Sequence, residues 1–395
     1  MTDNRLPFSG VRVLDLSRLL PGPLCSMLLA DFGADVIKIE DPKGGDYIRN
    51  WPPFLGENSG FHVVLNRNKR SLTLNLKTPE GREIFLKLAR NADVVLESFR
   101  PGVMDRLGIG YEVLSKENPR LIYCAITGYG QEGERAHRAG HDINYLAISG
   151  VLSYCGKDGE PVLPGVQIGD IGGGSLLAAF SIAMALYMRE KTGRGDFIDV
   201  SMTDGLLLFH ALRWGKFLAD GKVPQPGDDM LNHGLACYNV YRTKDGRYMT
   251  LGALEPQFWK AFCEAVGHPE WNNPSYFECG EHQKPLMEAI SRIFAEKTQA
   301  EWIEFFSNVD CCCEPVRNLD EVINDRELEA RGMVVSVMDA YSRAFRQLGV
   351  VLRCKNMQGR VVKPAPGLGE HTVEVLESIG MSSEDINELR AKGVV

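Results

Sequence analysis

Four polar residues of this chain have types and surroundings suited to proton-transfer or nucleophilic chemistry. His141 and Asp142 stand side by side in RAGHDINYL, before an apolar run. Asp170 precedes three glycines in VQIGDIGGGS, and Glu255 precedes a proline in LGALEPQF. An imidazole exchanges protons near neutral pH, and a carboxylate does so when its pKa is raised. We therefore treat these residues as candidate acid–base or nucleophilic groups.

Each of these residues also has a purely structural interpretation. Asp142 is a suitable N-cap for the helix predicted after it, and a single histidine is more often structural than catalytic. Asp170 can cap a helix predicted over 175–190, although a cap does not require three glycines, which let a ligand approach closely. Glu255 suits a helix start by its charge. Distance along the sequence does not decide whether the four residues meet.

The elements that must position these residues follow from the hydrophobic pattern. Strand-like and helix-like segments alternate over the first 130 residues. This alternation favours a mostly parallel sheet with right-handed crossovers, a Rossmann-like layer in an α/β fold. The predicted strands are 11–17, 35–40, 70–77, 93–98 and 121–130, and the predicted helices are 23–34 and 78–92.

The middle of the chain has a different pattern. A buried helix is predicted over 172–195, ending at Gly193, and another long helix over 202–221. The segment 223–234 is rich in Pro, Gly and Asp and is typical of a linker. Two alternating runs around Lys244-Asp245-Gly246 predict a β-hairpin. Further helices are predicted near 256–266, 284–295 and 299–307, with a strand at 333–339 and two helices close to the C-terminus.

This pattern divides the 395-residue chain, which is long enough for roughly two or three domains. Residues 1–222 are predicted to form the first part of a large Rossmann-like domain, and 223–237 a linker. Residues 238–325 are predicted to form a small α+β domain. The last segment, 326–395, is predicted to be a return linker and the C-terminal part of the large domain.

Composition excludes several classes of protein. The hydrophobic share of 44% and charged share of 24% are ordinary for a soluble globular protein. A net charge of −8 argues against a nucleic-acid surface. The start MTDNRLPFSG is not an apolar signal segment, and no run of 18 apolar residues is present. We expect a cytoplasmic protein with neither membrane nor nucleic acid as a partner.

The cysteines and glycines exclude common metal and dinucleotide sites. Ten cysteines are present, including Cys311-Cys312-Cys313 in a predicted short strand, without a CxxC pair or a zinc-like Cys/His spacing. We expect reduced thiols and no metal site. The loop after the first predicted strand, LSRLLPGP, lacks GxGxxG and so encodes no pyrophosphate cradle.

Over nearly its whole length, the chain resembles the family III CoA-transferases (CaiB/BaiF), a group that also contains α-methylacyl-CoA racemase. The segments that carry the resemblance are VRVLDLSRLLPGP, LLADFGADVIKIEDPKGGD, NRNKRSLTLNLKTPEGR, ESFRPGVMDRLGIGYE, IGDIGGGS, KTGRGDFIDVSMTDG and PAPGLGEHT. The resemblance implies a Rossmann-like large domain formed by both chain ends, a small α+β domain and an interlocked homodimer.

The resemblance also implies catalytic roles. In transferases of the family, an aspartate that matches Asp170 attacks an acyl-CoA thioester and forms a mixed anhydride. The racemase branch uses this aspartate as an acid–base group. It adds a histidine in GHDINY and a glutamate in EPQF, which match His141 and Glu255, and typical transferases lack that histidine. Inversion of an α-carbon needs a base on each face of an enolate, here Asp170 and His141, with Glu255 orienting the imidazole.

Three functions therefore stay open. The first is racemisation or epimerisation of a 2-methyl-branched acyl-CoA, which uses the full set of three residues. The alternative is transfer of CoA between carboxylic acids, which needs only Asp170. The third is a non-catalytic CoA-binding or partner protein. Neither reaction requires a metal or redox cofactor, because coenzyme A enters as part of the substrate.

For the CoA moiety, the resemblance points to eleven residues: Leu74, Asn75, Leu76, Lys77, Ser98, Phe99, Arg100, Arg106, Gly140, Asp142 and Tyr145. The basic members suit phosphate groups. One departure from the family concerns an arginine that commonly follows the VIKIE strand, where this chain has Asp41-Pro42-Lys43. Either Lys43 substitutes for it, or the adenosine end is held differently.

Overall fold

The structure is a computed structural model that describes residues 6–338 and 343–395. The start of the N-terminal segment and residue 339, the end of one predicted strand, lie outside the described residues. The chain forms two units, the first from the described parts of 1–149, 167–208 and 323–395, the second from 150–166 and 209–322. The boundaries predicted from sequence differ, since they assign 150–166 and 209–222 to the large domain.

The first unit is built on a six-stranded parallel sheet. Its strands are β1 Arg12–Asp15, β2 Asp35–Glu40, β3 Arg70–Thr73, β4 Val94–Glu97, β5 Ile122–Thr127 and β6 Phe197–Ser201. Their order across the sheet is β3-β2-β1-β4-β5-β6. The order reverses between β1 and β4, and in such sheets a ligand binds at the carboxyl ends of the strands beside this point.

This sheet confirms the predicted parallel α/β layer, and β1 to β5 fall within the predicted strands. The edge strand β6 is absent from the sequence-based prediction. The helices, α1 to α16 in chain order, are Pro21–Asp31, Gly60–Leu65, Pro79–Ala89, Val103–Arg106, Tyr111–Glu117, Asp142–Ser149, Leu177–Thr192, Met202–Gly205, Ala211–Asp220, Pro256–Ala265, Gln283–Phe294, Gln299–Phe306, Leu319–Ile323, Arg326–Ala330, Thr372–Glu377 and Ser383–Ala391.

Helix ends follow the local sequence signals. Thr78 is the N-cap of α3, where its hydroxyl accepts a hydrogen bond from the backbone N–H of Gly81, and Pro79 occupies the first helical position. Helix α7 ends at Gly193, as predicted, because glycine adopts the left-handed conformation there, with φ of 72°.

The prediction of one long helix over 202–221 is wrong. The segment divides into α8, a 3₁₀ turn at Leu206–His210, and α9. The chain passes from the first unit to the second within this segment. The apolar periodicity continues through the change and therefore does not mark it.

The second unit contains an antiparallel sheet of β7 Tyr238–Arg242, β8 Tyr248–Gly252 and β9 Cys313–Pro315. Strands β7 and β8 confirm the predicted hairpin, and α10, α11 and α12 confirm the three helices predicted after it. An aromatic core holds these elements together: Trp259, Phe262, Phe294, Trp302 and Phe306 are all buried. Another hairpin, β10 Val334–Met338 with β11 Ala344–Leu348, follows in the first unit.

One helical segment, Gly169–Thr192, is long and apolar enough by composition to cross a membrane. It packs against α1, α8 and β5, so we interpret it as a helix of the first unit. Several large apolar side chains on it are nevertheless exposed, among them Phe180, Met184 and Tyr187.

Arg67 ties the returning C-terminal part of the chain to the first unit. Its side chain is 1% exposed and forms an ion pair of 2.7 Å with the fully buried Asp31. The same guanidinium donates hydrogen bonds to the backbone carbonyls of Leu348 and Gly349. Because one cation satisfies a buried carboxylate and two carbonyls, its removal leaves several polar groups unpaired in the interior.

We predict that Arg67→Met lowers the free energy of unfolding by about 3–5 kcal/mol, because it leaves Asp31 buried without a counter-ion. Arg90→Met is the matched control, since Arg90 forms an exposed ion pair with Glu117 and its loss costs at most about 1 kcal/mol. Urea unfolding followed by circular dichroism measures both. Equal losses for the two variants would contradict the assigned role of Arg67.

Candidate active site

A cavity of about 660 Å³ lies at the carboxyl ends of β4 and β5, beside the reversal of strand order. Eight of the residues predicted from sequence line it: Ser98, Phe99, Arg100, Arg106, Gly140, His141, Tyr145 and Asp170. The structure therefore brings two of the three candidate catalytic residues, His141 and Asp170, to one cavity within the first unit.

A smaller cavity of about 260 Å³ lies at the carboxyl ends of β1 and β2. The predicted segment Leu74–Lys77 lines it, together with Leu16, Ile39 and Asp41. The two cavities share Arg18, Phe99 and Val103 as lining residues and are therefore neighbours. We call them the large and the small cavity.

Hydrogen bonds within the GHDINY segment fix the backbone of His141. Its N–H donates to Oδ1 of Asn144 at 3.0 Å, and its carbonyl accepts from the backbone N–H of Asn144 at 2.8 Å. The hydroxyl of Tyr145 donates to the carbonyl of Gly140 at 2.5 Å. The imidazole is exposed at the start of α6. The helix start thus holds the backbone while the ring faces the large cavity.

Asp170 lies in a π-helical turn, Gly169–Leu176, that continues directly into α7. Asp170 is therefore part of the helix, and the interpretation of it as a cap for a helix starting at 175 is wrong. The glycines of this turn allow close packing: a Cβ on Gly173 would come within 2.5 Å of the backbone oxygen of Met202, and one on Gly169 within 2.9 Å of Asp142. Such π turns are frequent at functional sites.

Asp142 joins the segments that carry His141 and Asp170. Its Oδ1 accepts a hydrogen bond of 2.9 Å from the backbone N–H of Asp170. Asp142 is the first residue inside α6, and it does not line either cavity. The structure thus corrects the interpretation of Asp142 as the cap of α6, and its contact with CoA stays a prediction. It acts instead on the position and the charge of Asp170.

The pKa of Asp170 is raised to about 7, first by burial and second by the negative charge of Asp142. A carboxyl group with this pKa is close to half-ionised at neutral pH. It can therefore give or take a proton there, which an ordinary aspartate does poorly. Burial and Asp170 also raise the pKa of the Tyr145 hydroxyl, which stays protonated and donates its hydrogen bond.

Arginines dominate the charge of the large cavity. Arg18, Arg100, Arg106 and Arg138 line it, and Asp170 is the carboxylate among its lining residues. This local excess of positive charge contrasts with the net charge of −8 for the chain. It favours an anionic ligand at this edge of the sheet. Sequence reasoning identified Arg100 and Arg106 but missed Arg18 and Arg138, because a single arginine in a loop carries no motif.

A buried ionic cluster fixes the loop after β1 that borders both cavities. Lys69 pairs with Asp15 at 3.3 Å and Lys38 pairs with Asp46 at 3.0 Å, all four side chains being buried. Both carboxylate oxygens of Asp46 accept from the N–H of Leu19, which adopts a left-handed φ of 64°. The cluster therefore holds a strained backbone in place beside the large cavity.

The loop after β4 is held in a similar way. Glu97 is buried, and its carboxylate accepts a hydrogen bond of 2.6 Å from the backbone N–H of Phe99. Burial raises the pKa of Glu97 to about 8. The hydroxyl of Ser98 accepts from the backbone N–H of Arg18 at 3.0 Å, which connects the loops after β1 and β4.

Glu255 and the cysteine triplet lie in the second unit. Glu255 is exposed and stands at the N-cap position of α10 without a side-chain capping hydrogen bond. It lines neither the large nor the small cavity. Burial, and second the negative charge of Glu255, raise the pKa of the Cys312 thiol. All ten cysteines are free thiols, and Cys313 begins β9.

Comparison with known proteins identifies the family. Residues 8–372 match the sequence profile of CoA-transferase family III. The chain belongs to this family. It is 37% identical to the human α-methylacyl-CoA racemase over 393 residues, which covers 99% of this chain and 98% of that protein. It is 34% identical to the mouse succinyl-CoA:glutarate CoA-transferase over 401 residues, with coverage of 100% and 91%.

A solved structure supports the same assignment. A CaiB/BaiF family protein from Brucella suis matches with a TM-score of 0.82 and 30% identity, covering 95% of this chain and 100% of that one. The fold and the membership of family III are therefore shown, and the chain's relatives include both racemases and CoA-transferases.

For this family III protein, we predict that Asp170→Asn stabilises the chain at pH 8 and not below about pH 4. The folded-state pKa of Asp170 is raised to about 7, so the folded chain binds the proton more tightly than the unfolded chain. Its contribution to stability is full below about pH 4 and is lost as the pH rises through 7, by at most about 4 kcal/mol. Thermal unfolding across this pH range measures the difference in stability between Asp170→Asn and the wild-type protein. The same difference at pH 4 and at pH 8 would count against the raised pKa.

We also predict that Asp142→Asn moves the acidic limb of any Asp170-dependent activity to lower pH. The amide keeps an oxygen that can accept the N–H of Asp170 but removes the charge that raises its pKa. The measurement is a profile of kcat/KM between pH 5 and pH 9. An unchanged profile would show that the charge of Asp142 does not act on Asp170.

Proposed function

We propose that this protein inverts the α-carbon of a 2-methyl-branched acyl-CoA by two-base proton transfer. The observation that carries the proposal is that His141 and Asp170 line one cavity, with the pKa of Asp170 raised to about 7. Two groups that exchange protons near neutral pH are the requirement for deprotonation on one face of a carbon and reprotonation on the other.

In the proposed reaction, the carboxylate of Asp170 takes the α-proton and leaves an enolate of the thioester. The imidazolium of His141 then gives a proton to the opposite face, which inverts the carbon. In the reverse direction His141 is the base and Asp170 the acid. The thioester carbonyl acidifies the α-proton, and donors at the enolate oxygen lower the barrier further. The reaction needs neither a metal nor a redox cofactor.

The arginines of the large cavity support CoA as the part of the substrate that anchors binding, because guanidinium groups pair well with phosphates. We assign the adenosine end of CoA to the small cavity. This assignment is supported by the predicted CoA-binding residues that line it, Leu74–Lys77 and Phe99. Glu255 is proposed to orient the imidazole of His141, and its exposed carboxylate without a capping role is consistent with this.

We further propose an interlocked homodimer in the cytoplasm. Exposed apolar residues support the dimer. Helix α9 has no buried residue, and Leu212, Trp214 and Leu218 on it are 70%, 57% and 74% exposed. Apolar faces of this kind mark protein–protein interfaces in soluble proteins.

The second candidate is CoA transfer through an acyl anhydride on Asp170. Transferases among the relatives favour it, as does the partial ionisation of Asp170 at neutral pH, since the ionised carboxylate is the nucleophile. His141 separates the two candidates, because anhydride formation does not require it.

The test uses each pure epimer of a 2-methylacyl-CoA in D₂O with His141→Asn and Asp170→Asn, followed by mass spectrometry of the thioester. We predict that each variant loses inversion by at least about 10²-fold, the usual contribution of a positioned acid or base. Each variant should retain exchange on the epimer whose proton faces the remaining base.

The transferase alternative predicts a different outcome. His141→Asn would then keep its rate of CoA transfer between acids, and only Asp170→Asn would be inactive. Retained exchange by both variants on both epimers would contradict the two-base mechanism.

A further inference from the structure

Arg18 is a half-buried cation without a counter-ion among the described residues of the first unit. Its guanidinium lies 5.1 Å from the ring centre of Tyr47 and 5.0 Å from that of Phe99. Nη1 donates a hydrogen bond of 2.9 Å to the hydroxyl of Tyr47. Two aromatic faces and one neutral oxygen hold the orientation of the guanidinium but leave its charge available.

The backbone on both sides of Arg18 is fixed by buried groups. The carbonyl of Ser17 accepts from Nζ of Lys38 at 2.9 Å, and the N–H of Arg18 donates to Ser98. The next N–H, of Leu19, is bound by both carboxylate oxygens of Asp46. A cation on such a rigid loop is pre-organised, so it loses little conformational entropy on binding an anion.

Two of the neighbouring carboxylates are paired with other cations. Glu40 pairs with Arg49 at 2.6 Å, and Asp46 pairs with Lys38 at 3.0 Å. Asp41 accepts a hydrogen bond from the backbone N–H of Lys43. Lys43 is exposed and lines neither cavity. The cations at the small cavity are therefore Arg18 and Lys77.

We propose that Arg18 binds the diphosphate of the CoA moiety, which rests on the proposed function. Coenzyme A carries its groups in the order adenosine, diphosphate, pantetheine and thioester. The thioester belongs in the large cavity with His141 and Asp170. The small cavity offers apolar walls and Asp41 after β2, the position at which an acidic residue contacts ribose hydroxyls in Rossmann-type sheets. Arg18 lines both cavities and therefore stands where the diphosphate passes between them.

This assignment explains the departure at Asp41-Pro42-Lys43. The family commonly carries an arginine after β2, which this chain lacks. Arg18, after β1, lies at the same edge of the sheet and takes over the function of that arginine. A carboxylate then occupies the position beside the ribose.

The test is calorimetric titration of wild type, Arg18→Gln and Arg18→Lys with CoA, dephospho-CoA and pantetheine. We expect Arg18→Gln to weaken CoA and dephospho-CoA roughly 10- to 100-fold, the effect of one charge-assisted hydrogen bond, and to leave pantetheine unchanged. Arg18→Lys keeps the charge and should bind with intermediate affinity. Arg120→Gln is the matched control, since Arg120 pairs with Glu190 and lines neither cavity; it should bind CoA as wild type does.

Several outcomes overturn the proposal. Wild-type affinity of Arg18→Gln for CoA does so directly. Loss of affinity for CoA but not for dephospho-CoA assigns Arg18 to the 3′-phosphate instead of the diphosphate. An equal loss for pantetheine shows a general disturbance of the loop. If the wild-type protein binds no CoA, the proposed function fails, and this result is distinct from the three others.

Discussion

The hydrogen bond from the backbone N–H of Asp170 to the carboxylate of Asp142 is the contact on which the candidate active site depends. It joins the start of α6, which carries His141, to the π-helical turn that carries Asp170. The same carboxylate places a negative charge beside Asp170, and together with burial this raises its pKa to about 7. One residue therefore links the two segments and, after burial, contributes to the raised pKa of Asp170. The adjacent pair His141-Asp142 is not a catalytic dyad: one member faces the cavity and the other supports Asp170.

The buried ionic cluster has a comparable role for the loop after β1. Burial alone would raise the pKa of Asp15, but Lys69 and Lys38 hold it below its ordinary value, so the carboxylate stays ionised. Burying these charges is expensive unless each is paired. The paired charges fix the loop backbone on both sides of Arg18. They also keep Leu19 in its strained conformation. The buried ion pairs thus pre-organise the loop that borders both cavities.

The sequence was sufficient for much of the fold, because alternation of strand and helix patterns over the first 130 residues specifies a parallel sheet. It did not reveal β6, whose short segment Phe197–Ser201 lies between two helices. It predicted the end of the large domain at residue 222, whereas the chain passes to the second unit after residue 208, because helical periodicity is the same on either side of the crossing. Motif resemblance found eight of the residues that line the large cavity, including His141 and Asp170. It could not show the role of Asp142, because a hydrogen bond between residues 28 positions apart has no local signal. Arg18 was missed for the same reason: its aromatic neighbours, Tyr47 and Phe99, are distant in sequence.

The central claim is that Asp170 and His141 act on opposite faces of one carbon. One of them takes the α-proton, and the other gives a proton to the opposite face. The most direct measurement is incubation of the wild-type protein with one pure epimer of a 2-methylacyl-CoA in D₂O, without any acceptor acid, followed by chiral separation and mass spectrometry. The account predicts that the opposite epimer accumulates and carries one deuterium at the α-carbon. Absence of both inversion and deuterium uptake, with CoA transfer on addition of a free carboxylic acid, would contradict it.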